Sequence, residues 1–312
     1  MNWKGATIQT LNIMREEIGK ILTSWSFFIL ALFTIGFFMF SVLGKYPQMF
    51  STDYGVIKAM IGANALSEAV EFISRYSVLQ LTEILGSQLL FLFSITLLGF
   101  NVGVFIVMLV ALQTCDNIAS DRLQGTLLLY FSKPIRRSKL VLARFASFAV
   151  TSFILIFAIH VIPLLLISLY VLIPNGVFLE CFSNLFVLIL GGALVLTSFL
   201  LAVGAITYLF SSLTKNSLLA CLGALMVTII PSYITAYALG SEWTRIDLEG
   251  SLYSLYTSVI NYDVSSRIFP SRLVPTTWFN FPQPEIAALI LLFFIIAPLL
   301  LACIATEFRE FQ

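Results

Sequence analysis

Six stretches of this 312-residue chain are almost wholly apolar for twenty residues or more: 25–44, 88–111, 146–173, 185–210, 217–239 and 286–305. None holds Asp, Glu, Lys or Arg in its middle. A helix rises about 1.5 Å per residue, so each run can cross about 30 Å of hydrocarbon. Inside a bilayer the backbone must satisfy its own hydrogen bonds, which a helix does within one segment. The last run contains thirteen Leu, Ile or Phe residues. At about −0.3 to −0.6 kcal/mol each they favour insertion by roughly 4 to 8 kcal/mol. Pro298 is expected to kink that helix, not to exclude it. The expected fold is an all-α integral membrane domain over 1–312, with six transmembrane helices.

Charge supports this and orients it. Only 11% of residues are charged, against about 25% in soluble domains. The net charge of +1 says little about partners, but its distribution is informative. With the N-terminus in the cytosol, eleven Lys and Arg fall inside and six outside, while six acids fall inside and ten outside. Positive charge inside is the rule for membrane proteins, so both termini are expected to be cytosolic. The first run starts too far in, and is too long, for a cleavable signal, so it should remain as a span. The lack of an Asn-x-Ser/Thr sequon fits a prokaryotic cell membrane. Nothing points to nucleic acid.

Cys115, Cys181, Cys221 and Cys303 are scattered without paired spacing, and read as small buried hydrophobes. A single His argues against a His-based metal cluster. No nucleotide-binding loop is present, since Gly19-Lys20 and Gly44-Lys45 lack its remaining residues. Paired intramembrane carboxylates are also missing, so catalysis is poorly supplied and no cofactor is expected in this chain.

The segments between the runs have their own patterns. In 1–24, Ile8, Leu11, Met14, Ile18 and Leu22 recur at helical spacing, with Lys4, Arg15, Glu16 and Lys20 off that stripe. This predicts an amphipathic helix in the interface plane, anchored by Trp3 and Trp25. The outward segment 45–87 predicts a helix with Ala69, Phe72, Ile73 and Tyr76 on one face. The outward segment 240–285 predicts a short helix carrying Leu252, Leu255, Tyr256 and Val259, then a stretch rich in proline and aromatics. It is read as an aromatic belt with turns or, more sharply, as a lid over an exit path. No internal repeat is evident.

Within the spans, Gly99, Asn101 and Gly103 suggest close helix packing or a dimer interface. Gly191, Gly192, Ser198 and Gly204 suggest the same. Thr228, Pro231, Ser232, Tyr233 and Thr235 predict a polar, breakable half of the fifth run. His160 is the one ionisable group inside a run. It reads as a side chain hydrogen-bonded to a neighbouring helix or, with Thr228, Ser232 and Tyr233, as lining a candidate cargo path.

The polar loop 114–145 is the most distinctive segment. A helix is expected over 118–131, with Gly125 inside it and Pro134 beyond its end. Ser138 is placed to cap the following helix. Arg136, Arg137, Lys139 and Arg144 are expected at the lipid surface. Topology-setting charge explains the basic residues but not Asp121, the Gly125-Thr126-Leu127 run or the Ser132-Lys133-Pro134 break.

Asp121-Arg122-Leu123-Gln124-Gly125-Thr126-Leu127, followed by Ser132-x-Pro134-x-Arg136, resembles the loop between spans two and three of ABC-2 type permeases. Asp121 stands where the family more often has Glu, and Leu128 where relatives often carry a charge. The resemblance implies that Asp121, Arg122, Leu123, Gly125, Thr126, Leu127, Pro134 and Arg136 form the element that couples to a cytosolic ATPase. It also implies pairing with a second permease, identical or not, and ATP and Mg bound on the partner ATPase. The apolar interior suggests a lipid-like or amphiphilic cargo moving outward. Two other classes stay open: a self-contained channel or secondary carrier not driven by ATP, and a membrane-embedded enzyme acting on lipids.

Overall fold

A computed structural model describes residues 3–24, 28–29, 32, 107–115, 118–119, 137–167, 178–237, 247–259 and 282–308. Among them there is no strand. Six helices are followed here: α1 (Trp3–Thr23), α2 (Arg137–Ile167), α3 (Phe178–Leu213), α4 (Ser217–Tyr237), α5 (Leu248–Val259) and α6 (Pro284–Phe308). Residues 107–115 are also helical. Among the described residues, three segments are long and apolar enough to cross a membrane: Arg137–Ala158, Ile189–Leu213 and Pro284–Phe308. They coincide with the third, fourth and sixth apolar runs. The predicted segment 45–87 lies outside the described residues.

Helix α3 is the axis of the bundle, and α2, α4, α5 and α6 all pack on it. Its 36 residues extend for about 54 Å, well beyond the hydrocarbon thickness. Small residues let the neighbours approach. A side chain at Gly204 would run into the buried ring of Phe148 on α2, and one at Gly192 would meet Tyr256 on α5. Gly191 faces Val259 of α5 in the same way, and Gly223 on α4 receives Phe210 of α3. Phe145 of α2 stands edge-on to Tyr208 of α3, with ring centroids 5.7 Å apart. The expected packing role of Gly191, Gly192 and Gly204 is therefore seen, with an aromatic or branched side chain filling each notch. Gly99, Asn101 and Gly103 lie outside the described residues.

Helix α6 is apolar all round and sorts its residues by size. Ala287, Leu291, Pro298, Ala302, Cys303 and Thr306 face the bundle, whereas Leu289, Phe293, Ile296, Leu300 and Ile304 face away. Water would favour the opposite arrangement. In lipid, helix contact is driven by close packing, so small side chains turn inward and bulky ones are left to the acyl chains. Several buried hydroxyls bond to carbonyls of their own helices: Thr151 to Ser147, Thr207 to Val203 and Thr306 to Ala302, at 2.9, 2.9 and 3.0 Å.

Two helices extend through sequence that is polar or holds a proline. Helix α4 continues through Pro231 to Tyr237, so the proline does not break it. Helix α2 begins at Arg137, nine residues before the apolar run. The chain therefore leaves the polar loop already helical.

Candidate functional site

The coupling residues expected from sequence, Asp121, Arg122, Leu123, Gly125, Thr126, Leu127, Pro134 and Arg136, lie outside the described residues. Both roots of their loop are described, and each is fastened to a different helix. At the upstream root, Ser211 near the end of α3 bonds to the chain at residues 115 and 119. Its hydroxyl donates to the Cys115 carbonyl at 2.7 Å and accepts from the Ala119 N–H at 2.9 Å. Ile118 and Ala119 are buried there. One hydroxyl thus links a carbonyl to the N–H four residues further on, and residues 118 and 119 are themselves helical.

The downstream root is the start of α2. Glu307, in the last turn of α6, accepts from the Ser138 hydroxyl at 2.8 Å and from its N–H at 3.3 Å. A carboxylate at a helix N-terminus meets unsatisfied N–H groups and the positive end of the helix dipole. Ser138 was expected to cap α2 itself, but the cap comes from α6, 169 residues further on.

Helix α1 closes this end of the bundle by packing along the first turns of α2. The Ser147 hydroxyl donates to Ala143 of its own helix at 2.8 Å and lies 3.3 Å from the Met14 carbonyl of α1. Arg144 reaches Glu17, Nε to Oε1, at 3.4 Å, and Lys20 of α1 reaches the same oxygen at 3.2 Å. Glu17 is 6% and Arg144 3% exposed. Arg144 therefore does not sit at the lipid surface. Glu17, about four turns into α1, supplies the carboxylate that faces it.

The face of α1 also differs from the expected stripe. Glu17 and Ile21 are buried, and Ile13 packs partly against the core. Leu11 and Leu22, 62% and 48% exposed, point elsewhere. Leu11 and Leu22 are three turns apart and share a face, set about 130° from the buried one. The helix packs on the bundle through residues off the expected stripe.

A second polar contact sits towards the other end of α2. His160 is fully buried. Its Nδ1 donates to the Ile156 carbonyl at 2.8 Å, and its Nε2 accepts from the Tyr256 hydroxyl of α5 at 3.3 Å. One donor and one acceptor match the neutral ring. His160 is thus hydrogen-bonded to a neighbouring helix, the blander of its two readings. Helix α5 is otherwise well fixed. Asp247 caps it by accepting from the Gly250 N–H at 2.6 Å, and Ser254 donates to the Pro282 carbonyl at 2.6 Å, just before α6. Thr228 donates to its own helix at Ala224, at 2.7 Å. The side chains of Ser232 and Tyr233 lie outside the described residues.

Sequence reading missed Glu17, Ser211 and Glu307. Arg144 held a usable signal, because it lies two turns inside α2, where a charge needs a partner. A search of the curated proteins returned no match. The family model described as "ABC-2 family transporter protein" matches residues 11–307, which takes in all or part of every apolar run and the whole polar loop. This chain belongs to the ABC-2 family of transporter proteins, membrane transport subunits that generally work with a cytosolic ATP-binding-cassette partner.

Proposed function

We propose that this chain is the permease subunit of an ATP-binding-cassette exporter in a prokaryotic cell membrane, with both termini in the cytosol. It forms the translocation path with a second permease, identical or not. Asp121, Arg122, Leu123, Gly125, Thr126, Leu127, Pro134 and Arg136 seat in a groove of a cytosolic ATPase, which holds the ATP and Mg. Closure of the ATPases pushes that segment and tilts spans against one another.

The observation that carries this reading is the fastening of both loop roots. Ser211 of α3 holds one root, and Glu307 of α6 holds the other against α2. A push on the loop is therefore delivered to three packed helices together, where a loose loop would absorb it. The two ends of α2 also differ. One joins the loop, and the other holds His160 against Tyr256 of α5. A tilt of α2 would reach that contact, where Thr228, Ser232 and Tyr233 of α4 are candidates to line the path. The scarcity of charge in the spans supports a lipid-like or amphiphilic cargo moving outward.

The test is purification of the tagged chain from its native membranes. A chain bearing a nucleotide-binding loop should accompany it, and its ATP turnover should change when the permease is removed. A permease that purifies without any ATPase and transports unaided would make it a self-contained carrier.

A further inference from the structure

Helix α1 meets α2 through charge as well as through packing. Glu17 lies against Arg144, 127 residues away, and both are buried. Burying two charges is costly unless they face each other, so the pair favours one placement of α1 along α2 over others of similar apolar area. One turn further along α2, the hydroxyl of Ser147, bonded to Ala143 of its own helix at 2.8 Å, also approaches the carbonyl of Met14 at 3.3 Å. The buried ion pair and this approach lie in register on adjacent turns and favour the same placement of α1. Leu11 and Leu22 remain turned outward on another face. An exposed apolar strip on a helix at the membrane's polar edge has the chemistry to enter the headgroup layer.

We propose that Glu17 and Arg144 are positioning residues that lock α1 to the root of α2, so that the two turn as one body when the loop is pushed. This rests on the exporter reading above. Helix α1, held in the headgroup layer by Leu11 and Leu22, is the fulcrum, and the ion pair is its joint to the lever. Without the joint, a push on the loop would slide α2 past α1 instead of tilting it.

The test measures the distance between spin labels at Asn12→Cys and Leu142→Cys, both exposed. The chain carries alanine at its four native cysteines and is held in lipid nanodiscs with its co-purified ATPase. Three forms are compared with and without vanadate-trapped ATP: the parent, Glu17→Gln, and the swap Glu17→Arg with Arg144→Glu. The parent should give one narrow distance that trapping leaves unchanged. Glu17→Gln should widen it in both states and shift its mean on trapping, and the swap should restore the narrow distance. Lys20 is exposed enough to turn away from an arginine at position 17. Glu16→Gln, at an exposed neighbour, should match the parent. A Glu17→Gln distance as narrow as the parent's, a swap that restores nothing, or a parent distance that shifts on trapping would overturn the proposal. If no ATPase accompanies the chain, the exporter reading fails instead. The distances without nucleotide then still show whether the pair fixes α1 on α2.

Discussion

At the scale of single residues, the bundle depends on glycine notches and a few buried polar contacts. Gly204 leaves the space that Phe148 fills. Gly204→Leu must displace a ring that is itself packed on all sides, and overfilling a tight interface costs about 1–3 kcal/mol. Thermal unfolding in detergent should show a lower midpoint, and adding Phe148→Ala should recover part of the loss. Tyr256→Phe keeps the ring against Gly192 but removes the hydroxyl that His160 accepts from. Loss of one buried hydrogen bond costs about 1 kcal/mol. The expected outcome is a small fall in the same midpoint, with faster amide exchange in α5. The notches were legible in the sequence because small residues recur in an apolar run. The partner of His160 was not: Tyr256 was placed on the apolar face of the short helix in 240–285, but nothing in the sequence pairs it with position 160.

At the scale of elements, the junction of α6 with α2 rests on one carboxylate. Glu307→Gln weakens a charged cap to a neutral one, and Glu307→Ala removes it. A helix cap contributes about 1 kcal/mol, with a further fraction from the dipole. Hydrogen exchange should rise first at the amides of 138–141, more for Ala than for Gln, while the middle of α2 stays protected. The helices themselves were well anticipated. The bilayer forces each apolar run to satisfy its own backbone, so length and hydrophobicity decide the element without help from tertiary structure. Their ends were less legible. Helix α2 starts at Arg137, beside the cap expected at Ser138, but the hold of Glu307 and of α1 on its first turns is visible in no local window. The half of α4 around Pro231 was expected to be polar and breakable, and the helix is continuous through it. Membrane helices tolerate proline where neighbours absorb the lost hydrogen bond.

For the whole molecule, one end of the bundle gathers α1, both roots of the polar loop, the end of α3 and the end of α6. These come from segments 90 to 170 residues apart in sequence. The loop motif could be read directly, since a charged, glycine-containing stretch stands out in a chain that is 59% apolar. What holds that loop could not be read, because Ser211 and Glu307 become meaningful only once the helices are assembled. The two loop roots make the coupling account specific. Force applied between residues 120 and 136 has rigid helices on both sides to act upon.

The most direct test of that account is ATP-driven transport by the permease and its ATPase reconstituted in lipid vesicles, with Asp121→Arg and Gly125→Trp compared to the parent chain. Both variants should insert to the parent's level yet move cargo far more slowly for the same ATP supplied. Transport at the parent's rate in both variants would contradict the account.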